Sequence, residues 1–287
     1  MRYYSNYDLI NQKLRETNEF LAIITAQAEF PLNDFHDVTP ALNAIRAQGS
    51  YMPADELFRL RKSLGTIGAI SSFFIKSNEE GVTPYPHLSE LCSGMQSFNP
   101  ILKEIDCIID KFGNIKDNAS PELLSIKQAI QATTASINGI LRRIISEGKT
   151  AGILDNDVSP SVRDGRLVIP VAPMNKRKIQ GIVHDESATG KTVFIEPGEI
   201  VEANNTIREL EGEMRREIIR ILTAMSDLIR PHIDEMLVSY DILGQIDFIR
   251  SKALFAQELN CNMPHLEHKP QIEWYHAVHP ALYLSLK

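Results

Sequence analysis

Residues 159–205 break an otherwise helical pattern with period two, and few folds accommodate a strand-rich insert of this size between long helices. Leu167, Ile169 and Val171 alternate with Arg166, Val168 and Pro170, which predicts a strand over 166–171 with one apolar face. Pro170 has no N–H to give a neighbour, so this strand is expected at an edge. Two further runs, 179–184 and 192–196, are rich in β-branched and aromatic residues. They flank a turn over 185–191 in which Gly190 can take positive φ. The expected arrangement is a three-stranded antiparallel meander.

Charge is concentrated in the same stretch. Residues 161–195 hold six basic side chains (Arg163, Arg166, Lys176, Arg177, Lys178, Lys191) against three acidic ones (Asp164, Asp185, Glu186), in a chain whose formal net charge is -7. A locally basic sheet on an acidic body can present one face to a polyanion. Lys176-Arg177-Lys178 is expected at the tip of the connection between the first two strands, where phosphate contacts would fall. The plainer alternative is that these cations keep an exposed turn soluble and block edge pairing.

The flanks predict helices. Apolar positions recur at helical spacing over 6–29, and Thr39-Pro40 marks a short helix. Pro53-Ala54-Asp55-Glu56 opens another, broken by Gly81 and the prolines at 84 and 86, and 87–97 and 100–112 read as two shorter ones. Ser120-Pro121-Glu122 is a cap, proline and acid start. Its helix runs to about Gly148, roughly 28 residues or about 42 Å. After Glu196-Pro197-Gly198 the period resumes with Ile200, Ile207, Leu210, Met214, Ile218, Ile221, Met225 and Leu228, a seam of the coiled-coil kind opposite a densely charged face. Pro231 kinks or restarts that helix, which continues to about Leu259. The fold class expected is therefore mainly α: a multi-helical core with long antiparallel helices and a small antiparallel β subdomain at their tip. The expected division is 1–150 for the core and first long helix, 151–205 for the β subdomain, 206–262 for the returning helices and 263–287 for an extended exit segment.

Composition bounds the rest. At 43% apolar and 23% charged residues this is an ordinary globular composition, and its overall acidity confines any nucleic-acid contact to a local patch. Cys92, Cys107 and Cys261 are scattered and outside metal spacing, which suits a reducing cytoplasm. No apolar run is long enough for a membrane span.

Several short patterns mimic sites. Gly190-Lys191-Thr192 copies the end of a phosphate-binding loop, but that motif needs glycine where this chain has Asp185, and the triplet leads into a strand. Phe194-Ile195-Glu196 lies in an apolar strand and reads as core. His265, His268, His276 and His279 form two H-x-x-H pairs in a proline-interrupted stretch that lacks a helix to align them, so no metal is expected. His184, Asp185 and Ser187 are too close in sequence for a triad and read as a turn that caps itself.

The strand-rich region resembles the MutS family of DNA-repair ATPases, in its second branch, which is linked to recombination control and lacks the mismatch-reading domain. The resemblance is carried by Val162-Arg163, Arg166-Leu167-Val168-Ile169-Pro170-Val171, Gly181-Ile182-Val183-His184-Asp185, Ser187, Thr189-Gly190, Thr192, Phe194-Ile195-Glu196-Pro197 and Asn204-Asn205. Glu16-Thr17-Asn18-Glu19, Asp117, Ala119-Ser120-Pro121-Glu122-Leu123, His279-Pro280 and Leu282 extend it over nearly the whole chain. It implies a core, lever and clamp fragment, with the clamp gripping the DNA backbone and the levers relaying nucleotide state. The ATPase domain would begin just after His279-Pro280, so the fragment itself would be no enzyme and hold no cofactor. ATP and Mg, a separate nuclease domain and homodimerisation would belong to the parent protein, the fragment being monomeric. The implied partner is duplex or branched DNA, with a ribosomal or RNA surface as an alternative from the same branch, and a purely structural or dimerising arm as another. Nucleic-acid contacts are expected from Lys176, Arg177 and Lys178, then Arg163, Arg166 and Lys191.

Overall fold

A computed structural model describes residues 4–32, 34–77, 84–269, 271–275 and 277–285. The chain divides into two units, one of Met1–Cys107, Lys111–Asn114 and Thr223–Lys287, the other of Ile108–Asp110 and Ile115–Leu222. The fold is mainly α, with one small antiparallel sheet in the second unit.

In the first unit, α1 (Tyr7–Thr25), α2 (Thr39–Ala44), α3 (Ala54–Ser77), α4 (Pro86–Cys92) and α5 (Asn99–Ile108) precede α8 (Ile233–Glu258) and α9 (Pro280–Ser285). The Asn6 side chain accepts from the Leu9 amide and starts α1. The helix ends short of its expected reach because Gln27 turns left-handed, at φ 52°. At α2 the N-cap position is held by Val38, so Thr39 is the first helical residue and not the cap, and Asp37 just ahead accepts from the Thr39 amide at 3.0 Å. Phe20, Ile23, Leu42, Leu60, Leu64, Ile67, Met236, Leu243 and Ile246 are buried in this unit's core. The expected break at Gly81 lies outside the described residues.

The second unit is built on α6 (Pro121–Thr150) and the first part of α7 (Val201–Ile229). Ser120 caps α6, its Oγ accepting from the Leu123 amide at 3.0 Å and donating to Glu217 Oε1 on α7 at 2.5 Å. Arg143, near the far end of α6, pairs with Glu199 just ahead of α7. Contacts at both ends show that the two helices run antiparallel. Burial would raise the Glu217 carboxyl, but hydrogen bonds from Arg220 above all, then from Ser120, hold it below the usual range.

Between these helices the chain forms β1 (Ser161–Arg163), β2 (Arg166–Val171), β3 (Gly181–Glu186) and β4 (Val193–Pro197). Strand order is β1-β2-β4-β3, every neighbouring pair antiparallel, so the expected meander is not what forms. The last strand inserts between β2 and β3, which consequently run parallel to each other and need a crossover. That crossover is the 3-10 turn Pro173–Lys178. The Lys176-Arg177-Lys178 segment therefore sits on a connection that passes β4, not at a hairpin tip. Nor is β2 an edge strand: β1 pairs with it up to Val168 and β4 from Ile169 onward, leaving Pro170 paired on one flank only. Leu167, Ile169, Val171, Val193 and Ile195 face a core shared with Ile137, Leu141 and Ile145 of α6, and with Ile200 and Ile207.

Candidate nucleic-acid interface

The hairpin joining β1 and β2 turns on Asp164 and Gly165, both at positive φ (47° and 73°), as a two-residue type I′ turn requires. It sets Arg163 and Arg166 directly opposite each other. Their fates differ. The Arg163 guanidinium lies 4.1 Å over the Phe194 ring centre, with Nε 3.5 Å from Asp185, and the residue remains exposed. Arg166 turns inward, donating to both oxygens of Glu196 at 2.8 and 3.0 Å and to Asn205 Oδ1 at 2.7 Å.

Glu196 is wholly buried and forms the hub of this end of the sheet. Besides Arg166 it accepts from Asn204 Nδ2 at 2.7 Å and lies 2.5 Å from His184 Nε2. His184 occupies a bulge, where the β3–β4 register skips between Val183 and Asp185, and such bulges re-aim side chains. Asn204 adds a second role: its amide accepts from the Leu167 N–H and donates to the Leu167 carbonyl, as a strand partner would. Burial by itself would raise the Glu196 carboxyl. Hydrogen bonds from Asn204, His184 and Arg166, with the Arg166 charge, outweigh it and hold the group below the usual carboxylate range.

Lys176, Arg177 and Lys178 are all exposed on the crossover turn. Asn175 fixes that turn, its amide N–H bonded to the Ala172 carbonyl at 2.8 Å and its side chain to the Ile153 carbonyl at 2.7 Å. Among the described residues no carboxylate pairs with any of the three cations. Lys178 lines a groove of about 550 Å³ with Glu147, Glu199 and Gln180. Lys191 is exposed on the β3–β4 turn and lines a separate cleft of about 350 Å³ that also holds Ala172, Pro170 and Phe194. The structure thus gathers Lys176–Lys178 on one turn, puts Arg163 on the sheet and Lys191 at the β3–β4 turn, and commits Arg166 to Glu196.

The Ser187–Thr192 turn does not fit a nucleotide phosphate. The amides of Gly190 and Thr192 already donate to the Ser187 carbonyl and hydroxyl, and Thr192 leads into β4. Self-capping comes from Ser187, while His184 is directed to Glu196. Of the histidine cluster, His268 stacks on Tyr7 with ring centres 3.9 Å apart, His279 Nδ1 accepts from the Leu282 amide, and His276 lies outside the described residues.

No family model matches the chain. Curated relatives do. A protein named Endonuclease MutS2 from Geobacillus sp. (strain WCH70) is 31% identical over 278 residues, covering 97% of this chain and 35% of the relative. Another of that name from Leuconostoc citreum (strain KM20) is 30% identical, over 97% of this chain and 34% of its own length. A third, from Finegoldia magna, is 33% identical over 96% of this chain and 34% of its own. The chain belongs to the MutS2 branch of the MutS family. It spans about a third of the length of the curated relatives it matches.

Charge alone points to the exposed cations, and the expectation that Phe194-Ile195-Glu196 is core holds, since all three are buried, whereas the Glu196 partners His184 and Asn204 escape a sequence reading. Those partners lie 12 residues before Glu196 and 8 after it, and the signal that points to them is a charged residue at the end of an apolar strand, which must find partners when it is buried.

Proposed function

We propose that this region grips the backbone of DNA, with Lys176, Arg177 and Lys178 as the principal phosphate contacts and Arg163 and Lys191 as secondary ones. The observation that carries the reading is the set of three adjacent cations, held on an anchored turn without a pairing carboxylate among the described residues, in a chain of net charge -7. Such contacts position a protein on nucleic acid without reading sequence. Arg166 is a positioning residue in this scheme, since its guanidinium is spent on Glu196 and Asn205. The antiparallel α6 and α7 act as the lever that carries the sheet. ATP and Mg chemistry, the cleavage named in the relatives and homodimerisation are assigned by the same proposal to other parts of the parent protein.

The test is DNA affinity across a salt series for the chain and its Lys176→Ala, Arg177→Ala, Lys178→Ala variant. Each phosphate neutralised contributes a slope of about −0.9 in log K against log salt on duplex DNA, so the variant should flatten by about that amount for every phosphate it no longer touches. An unchanged slope in the variant, or no salt-dependent binding by the parent chain, refutes the reading. Tighter binding to duplex RNA than to DNA would reassign the partner.

A further inference from the structure

The sheet ends on one flank at β3, so no strand of the described residues covers its outer edge, and Gly181, Ile182, Asp185 and Glu186 are exposed along it. One bond gives the direction of its backbone groups. The Gly198 amide donates to the Gln180 carbonyl at 3.0 Å, so Gln180 faces the β4 side, and alternation turns Ile182 the same way and Gly181 and Val183 outward. An unpaired edge of this kind is a template for another strand. Bulges and charges are common means of blunting such edges, and here the bulge at His184 and the acids Asp185 and Glu186 all fall beyond Val183, at one end. The other end is basic, with Lys178 just ahead of β3. Asp185 is engaged by Arg163, but neither Lys178 nor Glu186 has a side-chain partner among the described residues. The edge therefore runs from an unmatched cation to an unmatched anion, each four residues from Ile182, which is 48% exposed. A strand of the same sequence laid antiparallel matches it end for end. A parallel copy, or a strand without a base at that place, leaves Glu186 unmatched.

We propose that β3 is a self-recognition edge, to which a second copy of this chain adds antiparallel with Ile182 of each copy meeting on the twofold axis. In that register Gly181 and Val183 of one copy exchange backbone hydrogen bonds with Val183 and Gly181 of the other. Ile182 then forms a non-hydrogen-bonded pair, the kind with Cα atoms about 4.5 Å apart and the closer side chains. Lys178 and Glu186 come opposite each other twice, once at each end of the ladder, as a twofold interface requires. The ladder is short, so the contact is weak alone and strengthens where two copies are already tethered. It is separate from the homodimer contact assigned above to other parts of the parent protein. It engages Lys178, leaves Lys176 and Arg177 to the phosphate grip, and does not depend on that grip.

The experiment uses the full chain without nucleic acid, with Cys107→Ser and Cys261→Ser removing the exposed thiols. In that background Ile182→Cys should form a disulfide-linked dimer on oxidation with copper phenanthroline, because its partner thiol lies across the axis. Val162→Cys, on β1 at the opposite edge and 58% exposed, should not. Circular dichroism checks that each variant keeps the parent's fold. Glu186→Lys added to Ile182→Cys should slow the cross-link by about tenfold, since it opposes like charges at both ends of the ladder, and Lys178→Glu should do the same. Combining Glu186→Lys with Lys178→Glu re-creates both pairs and should restore the rate. A cross-link through Ile182→Cys no faster than through Val162→Cys overturns the proposal. A rate indifferent to either charge reversal, or a combined variant as slow as the single ones, overturns the register and with it the self-recognition.

Discussion

Glu196 shows how a single charged residue can be structural in a region otherwise built for surface charge. Its carboxylate is fully buried yet joined to Arg166, His184 and Asn204, so removing the charge strands a guanidinium that is 15% exposed and an imidazole that is 19% exposed. Glu196→Gln should therefore destabilise the sheet by about 3 kcal/mol at neutral pH, in line with breaking a buried pair from one side. The folded carboxyl titrates below its unfolded value, so its contribution is fully present above the unfolded pKa of about 4.3 and is lost as pH falls through the folded one. Native-state hydrogen exchange of the β4 amides, referenced to intrinsic rates, should show the gap between parent and variant closing below about pH 4. Glu217 is also held low and contributes its own acid sensitivity to both proteins, so the difference between them isolates Glu196. A gap that stays constant with pH would mean that shape, not charge, makes Glu196 matter.

At the scale of elements, the β3–β4 ladder depends on a close approach that only glycine permits. A Cβ on Gly181 would lie 2.1 Å from the Glu196 carbonyl oxygen, whereas one on Gly190, at φ 66°, would meet nothing within 4 Å. Gly181→Ala should cost about 2–3 kcal/mol by forcing the first rung apart, and Gly190→Ala about 1 kcal/mol through backbone strain alone. Urea midpoints followed by circular dichroism would rank them, and the reverse order would mean that the ladder yields at Gly181. Helix boundaries were largely legible in the sequence because their signals are local: Ser120 and Pro121 start α6, and Pro231 falls in the 3-10 segment Arg230–His232 between α7 and α8. Strand order was not. Period two tells which residues of 166–171 face a core but not which strand lies beside them, and β4 takes the middle place through pairings made across the whole insert. Asp164-Gly165 carries the turn signal for β1, but three residues are too few to show a period. The interface was legible to the same degree: charge is written in the sequence, while the inward commitment of Arg166 depends on an acid thirty residues away.

For the whole molecule, the distribution of charge and of core makes the second unit the seat of the proposed function. Residues 115–222 contain 15 basic and 15 acidic side chains, against 15 and 22 in the remainder, so the net negative charge lies entirely outside them. They also hold a core of their own, with the apolar face of the sheet packed on α6 and the start of α7, and both the Ser120–Glu217 contact and the Glu196 hub. The first unit is assembled from three separate stretches of chain, the second chiefly from one. Residues 115–222 produced alone should therefore fold cooperatively and bind duplex DNA with the salt slope of the full chain. At low salt they should bind at least as tightly, because the repulsion of an acidic neighbour reaches about 30 Å at 0.01 M, and the two affinities should converge near 0.15 M, where the screening length is about 8 Å. Circular dichroism and fluorescence anisotropy on the two proteins decide the matter. A fragment that folds yet binds with a shallower slope would place part of the phosphate grip in the first unit and overturn the assignment of the function to the sheet and its helices.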